Sequence, residues 1–190
     1  EPLHYLLFGN GLQTWEYAPK FALRPYSFLL LFCLPLRAFI KISGLQLTGR
    51  IVVFKMIRMT MGLMSAWSQA HFIEAVSMHV GRQIADLTAI IMITSTGLFV
   101  ASTAFLPNTF SMILLCLTWS YWLRGHDNKV LLLTALNFVL AWPYAVICAA
   151  IPCLLSVRKA YLGPKGQVFD SAQISPMVKI QLLVRRLFAA

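Results

Sequence analysis

The first 28 residues, EPLHYLLFGNGLQTWEYAPKFALRPYSF, place carboxylate, imidazole, amide and guanidinium groups among aromatic rings. Carboxylates bind hydroxyl groups or act as a general base, cationic side chains pair with phosphate, and aromatic faces stack on sugar rings. We therefore predict a site for a lipid-linked sugar at a membrane face. The alternative is an aromatic belt at the membrane boundary with solvated charges, and the residue types leave both open. The candidate substrate-binding residues are Glu1, His4, Gln13, Trp15, Glu16 and Arg24.

The rest of the chain is far more apolar than this opening stretch. Of the 190 residues 59% are hydrophobic and 12% are charged, whereas soluble globular domains average roughly 25% charged residues. Because this small number of charges cannot cover a water-exposed surface, the composition predicts an all-α, multi-span membrane helical bundle. The net charge of +10 comes from Lys and Arg at the ends of apolar runs. This distribution indicates membrane lipid, and not nucleic acid, as the partner of the basic residues.

Five apolar stretches follow, at 26–42, 51–78, 87–106, 107–123 and 130–157. The first is barely long enough to cross ~30 Å of hydrocarbon, and whether it spans is left open. In the last, Trp142-Pro143 predicts two short helices bent into a hairpin. His71 and Glu74, three residues apart, predict a polar pair on one helical face.

The segments between the apolar stretches differ in charge. HVGR at 79–82 and RGHDNK at 124–129 carry basic residues, whereas FLPN at 105–108 carries none. Basic connectors stay in the cytosol, so we predict the two basic segments there and residues 1–25 outside it. Three parts result. They are a luminal substrate loop at 1–25, transmembrane and interfacial helices at 26–159, and a divergent tail at 160–190 with an interfacial helix.

Three groups of residues, named here the first, second and third patches, resemble one family. The first patch is Glu1-Pro2-x-His4-Tyr5-Leu6, Gly9-x-Gly11-x-Gln13-Thr14-Trp15-Glu16-Tyr17-x-Pro19 and Arg24-x-Tyr26; the second is Ser95-Thr96-Gly97-x-Phe99, Ala104-Phe105-Leu106-Pro107 and Phe110; the third is Trp142-Pro143-Tyr144 and Pro152. The first patch is similar to the first luminal loop of the dolichyl-phosphate-mannose-dependent mannosyltransferases of glycosyltransferase family 22. Within the family it most resembles the α-1,2-mannosyltransferases that build the lipid-linked oligosaccharide for N-glycosylation. The resemblance covers about residues 1–159.

The resemblance implies a multi-pass endoplasmic reticulum membrane protein with the membrane glycosyltransferase (GT-C) fold. It implies dolichyl phosphate mannose as donor and the dolichol-linked oligosaccharide as acceptor, with no metal or other cofactor. Mannose would move to a mannose 2-hydroxyl with inversion, which gives an α-1,2 product. One displacement suffices, in which a carboxylate takes the acceptor proton and cationic or hydrogen-bonding groups stabilise the leaving phosphate.

Two departures from the family bear on catalysis. The family's acidic Asp-Glu pair, the favoured source of the base, precedes the Glu-Pro-x-His run, so we expect the base upstream of Glu1 and leave the catalytic residue unknown. Pro25 follows Arg24 where the family usually has Ser. We therefore expect a chain that is incomplete at both ends and inactive alone. The alternatives are a catalytically silent truncated isoform and a non-enzymatic membrane protein such as a transporter, whose features would be the charges at Arg58, His71 and Glu74.

Overall fold

The computed structural model describes residues 2–11, 14–18, 20–21, 26–43 and 49–162. Glu1, Gln13 and Arg24 lie outside these residues, as does most of the predicted tail. The described residues form helices and connecting segments, which confirms the all-α prediction for this part of the chain. The α-helices are α1 Pro2–Phe8, α2 Tyr26–Ser43, α3 Gly49–His79, α4 Arg82–Thr94, α5 Thr96–Ser102, α6 Pro107–Leu123, α7 Asp127–Leu140 and α8 Ala150–Leu162; 3₁₀ helices cover Trp15–Tyr17 and Pro143–Ala149.

The helices α3 and α6 pack against each other in opposite directions. Near the start of α6, Arg58 Nη2 lies 2.9 Å from Thr103 Oγ1. Near its end, the Ser120 hydroxyl donates to the His71 carbonyl at 3.1 Å. Since α3 has 31 residues and α6 has 17, the first turns of α3 extend past the start of α6.

A cluster of buried apolar side chains lies where α6 begins. Phe28 of α2 is its centre, because only 1% of this side chain is exposed. Its ring stacks on Phe105 at 4.9 Å between centroids and packs on Phe110 at 5.6 Å. Burial of one such ring contributes about 1.5–3 kcal/mol. The same cluster includes Leu3 and Tyr17, so it also fixes the opening stretch.

The predicted hairpin at Trp142-Pro143 is confirmed. Asp127, the first residue of α7, accepts hydrogen bonds from Ser156 Oγ at 2.7 Å and from Lys159 Nζ at 3.3 Å near the end of α8. The two helices therefore run in opposite directions. Pro143 has no backbone N–H and disfavours helical geometry in the residue before it, so the helix stops there and restarts after the 3₁₀ helix.

The apolar stretch 87–106 forms a bent pair of helices and not one continuous helix. The chain bends by 71° between α4 and α5. Ser95, at the bend, has an extended backbone with φ −73° and ψ 99°, and the Thr94 hydroxyl donates to the Ile90 carbonyl at 2.7 Å. A Thr-Ser-Thr run supplies hydroxyls that compete for backbone groups and β-branched side chains that disfavour helix. Of the described helices none alone is long and apolar enough for a membrane span, whereas this bent pair passes by length and composition.

Candidate functional site

The helix α1 presents His4 from within the segment that was predicted as a loop. Pro2 is the first residue of this helix and Gly9, with φ of +73°, follows its last residue. The His4 Nδ1 atom lies 2.8 Å from the Asn10 carbonyl oxygen. Because a carbonyl only accepts, Nδ1 carries a proton, and the neutral ring then offers Nε2 as an acceptor. In that tautomer Nε2 can accept a hydrogen bond from a sugar hydroxyl.

Gly11 allows the backbone to pass close to this imidazole. Its φ is +132°, a conformation that side chains other than glycine rarely adopt. A Cβ atom at this position would lie 3.2 Å from His4 Nδ1. Any larger residue would therefore disturb both the turn and the orientation of His4.

Trp15 and Glu16 lie on the 3₁₀ turn, which Tyr17 anchors to the bundle. The Tyr17 N–H donates to the Thr14 carbonyl at 3.1 Å. Tyr17 is buried and its carbonyl accepts a hydrogen bond from the Tyr26 hydroxyl at 3.1 Å. Trp15 is 61% exposed, with Phe21 against its ring edge-to-face at 5.7 Å. Its accessible indole surface can stack on a sugar ring, and Glu16, half-buried, is its neighbour in the chain.

The buried cluster includes a residue from α1 and a residue from the 3₁₀ turn. Leu3 and Tyr17, which are neighbours of His4 and Glu16 in the chain, belong to the same buried cluster. Three of the six candidate residues, His4, Trp15 and Glu16, therefore lie on elements that this cluster holds. Glu1, Gln13 and Arg24 lie outside the described residues, and their roles stay predictions.

Thr14 is a polar residue of the first patch that the choice of candidates missed. Its hydroxyl oxygen is buried and forms no hydrogen bond with any residue in the described ranges. A buried hydroxyl without a partner is costly, so we expect Thr14 to find a further polar partner. Its position next to Trp15 in the first patch was the sequence signal that could have identified it.

The structure brings parts of all three patches together. Phe28, two residues after the first patch, packs on Phe105 and Phe110 of the second. Ala141, which precedes the third patch, belongs to the same buried cluster. The Ser27 hydroxyl also donates to the carbonyl of Val139 at 3.2 Å. We name this end of the bundle, which holds Tyr17, Phe28, Phe105 and Ala141, the motif end.

The opposite end of the bundle holds ion pairs. Arg124 Nη2 lies 2.7 Å from Glu74 Oε2, and His71 Nδ1 lies 3.6 Å from the same oxygen. The predicted pair of His71 and Glu74 is thus confirmed, with Arg124 as a partner that local spacing did not reveal. We name this end, which holds Glu74, Arg124, Asp127 and Lys159, the charged end. The segment 124–129, which was predicted to be cytosolic, lies here, and its side of the membrane stays a prediction.

An open cavity of about 450 Å³ begins at the motif end and follows α6. At its mouth the Tyr144 hydroxyl lies 3.5 Å from Asn108 Oδ1, which links the third patch to the first turn of α6. Most of the wall beyond is apolar. The lining residues are Phe72, Asn108, Ser111, Met112, Leu115, Cys116, Trp119, Tyr144 and Ala145.

The described ranges contain no group of three or more His, Cys, Asp or Glu side chains placed to hold a metal ion. That observation concerns these residues alone. The expectation that the reaction needs no metal or other cofactor stays a prediction.

Comparisons with known proteins agree with the family that the three patches resemble. The chain is 36% identical to alpha-1,2-mannosyltransferase Alg9 of Drosophila melanogaster over 157 residues, which are 83% of this chain and 25% of the relative. It is 34% identical to alpha-1,2-mannosyltransferase ALG9 of Homo sapiens over 145 residues, 76% of this chain and 23% of the relative. It is 37% identical to alpha-1,2-mannosyltransferase alg9 of Schizosaccharomyces pombe over 160 residues, 82% of this chain and 27% of the relative.

The chain spans about a quarter of the length of these curated relatives. No solved structure matches it. The sequence model of the Alg9-like mannosyltransferase family matches residues 1–185, which extends the likeness beyond residue 159 into the segment predicted to diverge. On this match and these relatives, the chain belongs to the Alg9-like mannosyltransferase family.

Proposed function

We propose that the protein with this sequence transfers mannose from dolichyl phosphate mannose to a mannose 2-hydroxyl of the dolichol-linked oligosaccharide. The anomeric centre inverts, and the product is α-1,2-linked. Membership of the family supports mannosyl transfer, and the names of the relatives support the linkage. The single structural observation in favour is the convergence of the three patches on the motif end, where Trp15 is exposed beside Glu16.

Each candidate residue has a proposed task at the motif end. The face of Trp15 stacks on a mannose ring, and the Glu16 carboxylate and the His4 Nε2 atom accept hydrogen bonds from sugar hydroxyls. Glu1 and Gln13 bind further hydroxyls, and Arg24 stabilises the phosphate as it leaves. These residues bind and orient, and the general base is assigned to none of them.

A lipid-linked donor needs a polar site next to an apolar one. The cavity along α6 supports this part of the proposal, because polar Asn108 and Tyr144 lie at its mouth and apolar side chains form its wall. We propose that the isoprenoid chain runs along this wall while the sugar lies over the opening stretch. A multi-pass GT-C bundle in the endoplasmic reticulum membrane, with its motif end in the lumen, completes the proposal.

The experiment is a mannosyl-transfer assay on membranes that contain the protein in its full natural length. Dolichyl phosphate mannose and a dolichol-linked acceptor are supplied, and the linkage of the product is read with an α-1,2-specific mannosidase. We expect transfer by the wild type and none by residues 1–190 alone. A wild type without transfer, or with another linkage, contradicts the proposal.

Trp15→Ala tests the stacking role in the same assay, with Trp67→Ala as its matched control. Both indoles are more than half exposed, but Trp67 lies on α3 and stacks on His71 at 5.6 Å, towards the charged end. Loss of one sugar-stacking face corresponds to about 0.5–1.5 kcal/mol, so we expect a loss of kcat/KM of up to about tenfold for Trp15→Ala alone. Equal effects of the two substitutions remove Trp15 from the site.

A further inference from the structure

Arg58 of α3 is an exposed cation whose described partners are all neutral. Its Nη2 atom donates to Thr103 Oγ1 at 2.9 Å, and its guanidinium carbon lies 5.7 Å from the centre of the Phe54 ring. The carboxylates that form ion pairs within the described ranges belong to Glu74 and Asp127, and neither pairs with Arg58. The positive charge of Arg58 is therefore not neutralised by the described part of the chain.

Arg58 borders an open cavity of about 340 Å³, which Met59, Gly62, Leu63 and Thr103 also line. The apolar side chains beside it point outward, since Met59 is 66% exposed and Leu63 is 69% exposed. A guanidinium group beside exposed apolar side chains is unfavourable next to hydrocarbon unless an anion accompanies it. A ligand that combines an anionic head with a hydrocarbon chain satisfies both features.

Two neighbours set the shape of the cavity. Gly62 allows α3 to lie close to Thr103, because a Cβ atom at Gly62 would be 3.3 Å from Thr103 Cγ2. Thr103 Oγ1 accepts from one guanidinium nitrogen and so fixes the orientation of the Arg58 side chain. A guanidinium group has five N–H donors in a planar fork, and within the described residues Arg58 uses one nitrogen in a hydrogen bond. The fork that remains matches two oxygens of a phosphate group.

We propose that Arg58 and Thr103 bind the phosphate group of a membrane lipid, whose hydrocarbon chain lies against Phe54, Met59 and Leu63. Thr103 is two residues from Phe105, whose ring stacks on Phe28, so the site lies at the motif end. A polyprenyl phosphate and a glycerophospholipid share the required chemistry. Binding of either does not depend on the proposed transferase activity.

The test measures lipid binding to the purified full chain in a non-ionic detergent by native mass spectrometry. The phosphate probes are a polyprenyl monophosphate and phosphatidylglycerol, and their phosphate-free counterparts are the polyprenol and diacylglycerol. We expect Arg58→Gln to weaken binding of at least one phosphate probe by about tenfold, the loss of one charge-assisted hydrogen bond. Binding of the phosphate-free lipids should stay unchanged. Arg58→Lys should have a smaller effect, because the charge remains and the planar fork is lost.

The matched control is Arg82→Gln, which removes the same charge from an exposed residue at the start of α4. If only binding of the polyprenyl phosphate weakens, the site binds the isoprenoid lipid. If only binding of phosphatidylglycerol weakens, the site binds bulk membrane lipid. Both results support the site. Unchanged phosphate binding by Arg58→Gln, or an equal loss by Arg82→Gln, overturns it. If Arg58→Gln does not fold, binding of the phosphate lipids is measured with Arg58→Lys and Thr103→Val. Binding at the wild-type level by both variants overturns the proposal.

Discussion

The two ends of the bundle use their charged side chains differently. At the charged end, cations pair with carboxylates of the same chain, as Arg124 does with Glu74 and Lys159 with Asp127. At the motif end, Arg58 donates to a hydroxyl and lies beside an aromatic ring. Charges that are neutralised within the chain stabilise the fold, whereas a cation with neutral partners remains available to an anionic ligand. We therefore propose a structural role for the charged end and substrate binding for the motif end.

The largest effect on stability is expected from Phe28→Ala at the motif end. Phe28 is 1% exposed and packs on three aromatic rings. Loss of a buried ring leaves a cavity and costs about 3–5 kcal/mol of unfolding free energy. Unfolding of the purified chain in detergent measures this cost. Phe99→Ala is the control, because Phe99 is 73% exposed, and similar losses in both variants would contradict a packed junction at Phe28.

The largest effect on activity is expected from Glu16→Gln at the motif end, compared with Glu74→Gln at the charged end. Loss of a charged group that contacts the transition state costs about 100-fold in kcat/KM. Glu74 contacts Arg124 and His71, so its loss should change kcat/KM less than about threefold while it lowers stability. Steady-state mannosyl transfer by the two variants measures this difference. An equal loss of activity in both would contradict the assignment of different roles to the two ends.

At the charged end, Arg124→Gln should destabilise the fold without loss of transfer activity. The Arg124 side chain is only 19% exposed and donates to both Glu74 and the His71 carbonyl. Glu74 is half exposed, so water screens part of the loss, and we expect about 1–2 kcal/mol. Lys159→Gln, which removes a more exposed pairing with Asp127, should cost less than about 0.5 kcal/mol. Unfolding midpoints measure both, and an equal cost would mean that burial does not set the strength of these pairs.

A smaller effect on activity than that of Glu16→Gln is expected from Gly11→Ala, which disturbs the motif end locally. The methyl group would lie 3.2 Å from His4 Nδ1 in a backbone conformation with φ of +132°. Strain of this kind costs about 1–3 kcal/mol, which we expect to appear as local distortion and about tenfold lower activity. Gly81→Ala is the matched control, since Gly81 also has a positive φ, of +140°, and its Cβ would meet no atom within 4 Å. Full activity of Gly11→Ala would show that the orientation of His4 does not matter.

Local sequence signals predicted several of the helices and one contact within a helix. The stretch 26–42 forms α2, and Trp142-Pro143 breaks the last apolar stretch, because proline cannot continue a helix. His71 and Glu74 meet because residues three apart share a helical face. Helix α1 was missed, although Pro2 and Gly9 are start and stop signals, because the polar residues around them suggested a loop.

Contacts between distant residues could not be derived in this way. Arg124 and Glu74 are fifty positions apart, so no helical period connects them. The junction of Phe28 with Phe105 likewise depends on how α2 packs beside α6. The patches were recognised separately along the chain, and the fold was needed to show that parts of them share one end.

The most direct test of the comparison is the side of the membrane on which each end lies. Lys20→Cys reports on the motif end and Lys129→Cys on the charged end, since both lysines are exposed. Each is made in a variant whose four native cysteines are replaced by alanine. The proteins are then labelled in sealed microsomes with a membrane-impermeant maleimide. We expect Lys129→Cys to react in intact microsomes and Lys20→Cys to react only after the membrane is permeabilised. Reaction of both cysteines in intact vesicles, or the reverse order, would contradict a luminal motif end and a cytosolic charged end.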